Sequence, residues 1–160
     1  MTTTIKLTRG KVALIDDDDF ELVSKFKWSA HHRRIGATWY ARTNVGSWPN
    51  QSPVYLHRLV MNASGGQIVD HIDGNGLNCQ KDNLRICTHS QNQHNSGIRR
   101  NNTSGYIGVS WSKREEKWIA QITVNGKVKR IGAFDDVIEA AKAYDEEALS
   151  KRGEFATLNF

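Results

Sequence analysis

Apolar residues in this chain fall in short runs broken by Gly, Asn and Pro, the pattern of strands joined by turns. Ile5 to Leu7 and Lys11 to Ile15, on either side of Thr8-Arg9-Gly10, predict a hairpin. Four aspartates, Asp16 to Asp19, precede Phe20 to Phe26; acid at that point suits the first turn of a helix over that run. Lys27 to His31 and Thr38 to Arg42 predict a second strand pair, and Val45 to Pro53 a loop. Val54 to Met61 is apolar enough to be buried, but at this length periodicity leaves strand and short helix both open.

After a break at Asn62 to Gly66, the run Gln67-Ile68-Val69 leads into Asp70-His71, a loop rich in Gly and Asn, and a second run, Asn83 to Cys87. Thr88-x-x-Gln91 has the form of a capping box, so a helix should start there. The stretch therefore reads strand, loop, strand, helix. Downstream, Tyr106 to Trp111, Lys117 to Val124 and Lys127 to Ile131 predict three strands, the last two joined by the hairpin signal Asn125-Gly126. A helix over Val137 to Ser150 carries an apolar stripe of Ile138, Ala141, Tyr144, Ala148 and Leu149; Gly153 ends it, and Phe155 to Phe160 can cover the base of this unit. In so small a unit Trp118 and Phe134 are expected in the core.

Composition narrows the class. The chain has 160 residues, 38% hydrophobic content and no apolar run long enough for a membrane span. Cys79 and Cys87 are too few for a disulfide framework or a cysteine zinc site, so a reducing, intracellular setting is expected. The net charge of +5 points to a polyanionic partner. Its distribution adds more. Lys113, Arg114, Lys117, Lys127, Lys129 and Arg130 lie in the downstream strands, and Asp135, Asp136, Glu139, Asp145, Glu146 and Glu147 in the helical stretch. A basic sheet backed by an acidic helix would present a positive face to nucleic acid.

The central stretch holds the parts for metal-assisted phosphodiester hydrolysis. His71, with an ordinary pKa of about 6.5, suits a general base. Asp70 lies on the opposite face of the same strand and, with the side-chain oxygen of Asn92, suits a hard cation that keeps its waters. Asn83 is placed to hold the His71 imidazole. Asp, His and Asn also build loops, so composition alone leaves catalytic and structural readings open.

The words VDHIDGN, DNLRICT and SQNQHN, with Asn83 twelve residues after His71 and Asn92 nine further on, resemble the HNH endonucleases from about Tyr55 to Asn95. The likeness is to the phage and intron-associated group whose third motif position is Asn. It implies a ββα-metal fold with one catalytic divalent ion. His71 would be the general base, Asn83 would orient it, and Asp70 and Asn92 would bind the ion. Many HNH nucleases have His at the position of Asn92 and again at that of Ser96; the difference favours Mg²⁺ or Mn²⁺, and without paired cysteine motifs no structural zinc is expected. YIGVSW, KWIAQI, RIGAFDDVIEAAKAYDEEAL and the closing LNF resemble an AP2 DNA-binding domain over Ser104 to Phe160. That family lays its sheet in the major groove. The arginines that read bases in its plant members are mostly replaced here, leaving Arg114, Gln121, Thr123 and Arg130 as groove candidates, with Arg99 and Arg100 on phosphates.

The resulting expectation is an α+β chain. An HNH endonuclease domain spans 1–97, with extra N-terminal strands and its ββα-metal motif at about 67–96. A linker follows at 98–104, and an AP2-like three-stranded antiparallel sheet plus helix at 105–160. The partner is double-stranded DNA and no membrane; a homodimer is compatible but not implied, and the setting is the cytoplasm of a bacterial or phage-infected cell. The alternative is a DNA-binding regulator that keeps a degenerate HNH scaffold. An RNA-binding module is disfavoured by the lack of an exposed aromatic sheet signature.

Overall fold

A computed structural model describes residues 1–32, 38–95, 98 and 101–160, and its contacts divide the chain into two units, Met1–Thr88 and His89–Phe160. In the first unit, β1 (Thr2–Lys6) and β2 (Val12–Asp16) form the expected N-terminal hairpin. Alternation along β2 buries Ala13 and Ile15 fully and leaves Val12 exposed. Helix α1 covers only Phe20–Val23, shorter than expected. The Trp28 indole donates to the Val23 carbonyl at 2.9 Å, which satisfies the helix end and turns the chain into the core.

The aspartates do not cap that helix, contrary to expectation. Asp17–Asp19 form a 3-10 turn, and neither this turn nor α1 has a side-chain cap. Asp16 instead accepts from the Lys81 backbone N–H at 2.8 Å, and Asp17 from the Thr3 hydroxyl at 2.5 Å. Asp19 is buried and paired with Lys81 Nζ at 2.7 Å. The run thus fastens the N-terminal hairpin to the segment just before Asn83.

A three-stranded antiparallel sheet follows, β3 (Ser29–His32), β4 (Trp39–Val45) and β5 (Ser52–Tyr55), in that order. Pro53 lies in β5, opposite Asn44, so the strand begins inside the stretch read as loop; an edge strand tolerates its missing donor. The ambiguous run from Val54 to Met61 is both elements in turn, the end of β5 and then α2 (Leu56–Val60). The pair β6 (Ile68–His71) and β7 (Leu84–Cys87) is antiparallel, with Asp70 opposite Arg85 and His71 opposite Leu84. Between them the loop is clamped to β2: Leu14 N–H donates to Leu77 O and Cys79 N–H to Leu14 O, both at 2.8 Å. The core gathers Ile15, Val23, Trp28, Leu56, Val60, Val69 and Leu84 around fully buried Cys79. Both cysteines are free and buried.

The short helix α3 (His89–His94) completes the strand-strand-helix order and groups with the second unit. There β8 (Val109–Ser112), β9 (Lys117–Val124) and β10 (Lys127–Phe134) make an antiparallel sheet with β9 in the centre. Helix α4 (Val137–Arg152) is capped by Asp136, whose side chain accepts from the Ile138 and Glu139 N–H groups. Ala120 and Ile122 of the sheet meet Ala140, Ala141, Tyr144 and Ala148 of the helix. Ile138 and Leu149, expected in the stripe, are exposed, because the buried face is set by small alanines that let the helix approach the sheet. Gly108, at φ +74°, packs directly under the Tyr144 ring, where any Cβ would collide with it. Trp118 and Phe134 pack at the edge of this core, as expected. The tail is tied down by Asn159, whose Oδ1 accepts from the Ile107 N–H at 2.7 Å and whose amide donates to Asp145.

Candidate active site

Adjacent strand positions face opposite sides, and β6 uses both of its sides. Asp70 and His71 are 7% and 5% exposed, so both functional groups are withdrawn from bulk water. On one side, the Arg85 Nε and Nη2 reach the same Asp70 carboxylate oxygen, each at 3.0 Å. On the other, the His71 ring meets His57 edge-on at 4.9 Å between centroids and Tyr40 at 5.9 Å. Tyr40 also contacts His57 and Tyr55. His71 therefore sits in a wall of rings supplied by β4, β5 and α2.

Burial pulls the His71 pKa below the ordinary histidine value, while the Asp73 and Asp70 charges oppose the shift. The imidazole is thus held in its neutral, proton-accepting form at neutral pH. Burial, with the neighbouring His71 and Arg58 charges, lowers His57 further, to about 3. Among the described residues, His57 Nδ1 is buried without a hydrogen-bond partner. His57 is packed, as a histidine in an apolar run commonly is, yet it packs against His71 and keeps an orphaned nitrogen among the described residues. A lone His in an apolar run carries no signal of that.

Asn83 does not hold the His71 imidazole. Its side chain donates to Asp73 at 3.0 Å and to the Asn78 carbonyl at 2.9 Å, and it accepts from the Asp73 N–H at 3.0 Å. Its carbonyl accepts from Ile72 N–H at 2.9 Å, next to His71 in the chain. Its hydrogen bonds fix the loop and the backbone shoulder of His71. Asp73, missed by sequence reasoning, is the hub: burial acts to raise its pKa, but hydrogen bonds from Asn78, Asn75 and Asn83 hold it below the usual carboxylate value. Gly76 closes the loop against β4, since a Cβ there would strike the Trp39 carbonyl and the Tyr40 ring. Cys79 stays out of the chemistry, its thiol pushed up to about 12 by burial and by the Asp73 charge.

Asn92 is half-buried on α3, in the second unit. Arg99 and Arg100 lie outside the described residues. Gln121 and Thr123 are exposed on β9. Arg114 and Arg130 both pair with Glu115, Lys117 pairs with Asp135 and Lys129 with Glu147. Four of the six basic side chains of this stretch are thus in ion pairs, so the sheet face is less positive than its sequence implies.

Among the described residues, no group of three or more His, Cys, Asp and Glu side chains could hold a metal. The chemistry of the donors still fits a hard divalent ion held by few protein ligands. A carboxylate offers two oxygens with about four lone-pair directions, more than the Arg85 contacts to Oδ2 take up.

The chain thus contains a strand pair carrying Asp-His followed by a short helix, and a three-stranded sheet backed by one helix. A family model described as HNH endonuclease matches residues 54–94, and one described as AP2 domain matches 104–154. Protein 3.8 of Escherichia phage T7 is 43% identical over 76 residues, which is 44% of this chain and 63% of that protein. An uncharacterized HNH endonuclease of Acanthamoeba polyphaga mimivirus is 29% identical over 152 residues, 94% of this chain and 76% of its own length. APETALA2-like protein 2 of Oryza sativa is 39% identical over 61 residues, 38% of this chain and 14% of that protein. The chain carries an HNH-type nuclease domain and a C-terminal AP2 DNA-binding domain.

Proposed function

We propose that this chain is a DNA endonuclease that hydrolyses phosphodiester bonds with one divalent ion, Mg²⁺ or Mn²⁺, and is targeted to double-stranded DNA by its AP2 domain. The supporting observation is a buried imidazole, His71, held neutral beside a buried carboxylate, Asp70, inside the HNH-matched stretch. In this reading residues 1–97 are the catalytic domain, 98–104 the linker and 105–160 the targeting domain. His71 takes a proton from the attacking water. The water oxygen bonds to phosphorus, the bond from phosphorus to the 3′ oxygen breaks, and the electron pair leaves with that oxygen. Asp70 and Asn92 would hold the ion, which supplies Lewis-acid stabilisation of the charge on phosphate and on the leaving oxygen. Asn83 acts as a positioning residue through the Asp73 loop and Ile72. Arg99 and Arg100 contact phosphates, and Arg114, Gln121, Thr123 and Arg130 lie along the groove. One site per chain cuts one strand, in the cytoplasm of the host cell.

A second reading draws on the Asp70–Arg85 pair, which engages one oxygen of a proposed ligand as a scaffold without catalysis would. Incubation of supercoiled plasmid with Mg²⁺, with Mn²⁺ or with chelator separates the two. Metal-dependent conversion to open circles is expected. DNA binding without cleavage under any metal would support the scaffold instead.

A further inference from the structure

Arg114, Lys117, Lys129 and Arg130 of the second unit have carboxylate partners, whereas among the described residues the cations of the N-terminal turn have none. Residues 1–11 hold Lys6, Arg9 and Lys11 and no acid. Arg9 and Lys11 are exposed, and among the described residues neither forms an ion pair. Both lean on one ring. The Arg9 guanidinium carbon lies 5.6 Å and the Lys11 ammonium 5.3 Å from the Trp39 centroid, while the His32 ring meets Trp39 at 4.8 Å between centroids, tilted by 53°. An indole face attracts cations, so the two charges are gathered rather than spread.

The turn that presents them is also fixed. Ala30 N–H donates to the Thr8 hydroxyl at 3.0 Å, fastening the turn to β3. Arg9 itself has φ 60° and ψ 29°, followed by Gly10 at φ 64°. Hairpin turns of this shape favour Asn or Gly at the first central position, and an Arg there is strained. A side chain that serves only as exposed surface gives no reason to keep it. Trp39 and Tyr40 are neighbours on β4 and face opposite sides, Tyr40 towards His71, while the Trp39 carbonyl backs Gly76 in the loop after His71. The paired cations therefore belong to the same unit as the candidate site and lean on β4, the strand that also carries Tyr40.

We propose that Arg9 and Lys11, gathered on Trp39, are a backbone-phosphate clamp for duplex DNA. The inference rests on the nuclease reading for its partner. It moves the electrostatic anchor from the sheet of the second unit to the N-terminal turn.

The test is the salt dependence of duplex binding by the full chain, measured in chelator so that no strand is cut. Each phosphate contact adds about 0.9 to the slope of log affinity against log salt. Arg9→Gln with Lys11→Gln should make the slope shallower by about 1.8, and each single change by about half that. The charge-preserving pair Arg9→Lys with Lys11→Arg should keep it. Lys25→Gln with Lys27→Gln removes the same charge elsewhere on the unit and should change it far less. Circular dichroism reports whether each variant is folded, and the single variants decide the matter if the double one is not. An unchanged slope in the Arg9 and Lys11 variants, or an equal change in the Lys25 and Lys27 control, overturns the clamp. Wild-type protein that binds duplex but never cleaves it defeats the nuclease reading while the slopes still judge the clamp. No duplex binding by wild type defeats both.

Discussion

In the first unit the buried set includes Asp19, Thr43, His57, Asp70 and His71, whereas every buried side chain described in the second is apolar or Tyr144. Burying polar groups costs free energy unless they are paired, and a domain needs none of them for its core. The second unit is built on that economy: small alanines, Ile122 and Tyr144 inside, with its charges outside in carboxylate–cation pairs. The first unit departs from it around one strand, β6. The difference agrees with the chemistry proposed for β6. A fold tolerates buried imidazoles and a buried ion pair where reactivity depends on the withdrawal from water, and the second unit has no such place among its described residues.

Three changes test this contrast, with hydrogen exchange read residue by residue so that each unit reports separately. The largest effect is expected from Asp70→Ala. It removes the carboxylate paired with Arg85, whose side chain is 13% exposed, and should destabilise the first unit by roughly 3–5 kcal/mol. Adding Arg85→Met should restore much of that. If Asp70→Ala alone is as stable as wild type, the pair is not a structural element of the site.

Next is Gly108→Ala, the counterpart in the second unit. The left-handed backbone and the Tyr144 ring leave no room for a methyl group, so roughly 3 kcal/mol should be lost there, with the first unit unchanged. An unaltered second unit would show that its core is looser than described.

The smallest concerns pH. His57 has a depressed folded-state pKa of about 3, so the unfolded chain binds more protons between about pH 6.5 and that value. Stability of the first unit should therefore rise with pH across this window, with about 2 kcal/mol lost on going from pH 7 to pH 5. His57→Gln should flatten this dependence. An equally steep dependence in His57→Gln would assign it to other groups.

Much of this was readable in the sequence, and the misses have physical causes. Asn125-Gly126 and the alternation along β9 specify their hairpin locally, and the order around Asp70-His71 follows from short apolar runs. The aspartates were misread because capping is a local rule, while their partners, Lys81 and Thr3, are brought in by the tertiary fold. Asn83 was given the wrong contacts for the same reason: nothing in its neighbourhood shows that Asp73 and Asn78 fold back on it. His57, in an apolar run, is open from sequence to packing or to an approach to the site, and the fold makes it both, a packed residue against His71. The charge segregation was plain to see, but whether opposite layers neutralise each other depends on side-chain reach across the sheet.

The most direct test is the single-turnover cleavage rate of DNA fully bound by protein, in Mg²⁺ or Mn²⁺, for wild type and His71→Ala. The account predicts a rate lower by about 10²–10⁴ in the variant with DNA affinity kept, as removal of a general base requires. Equal rates in the two proteins would contradict it.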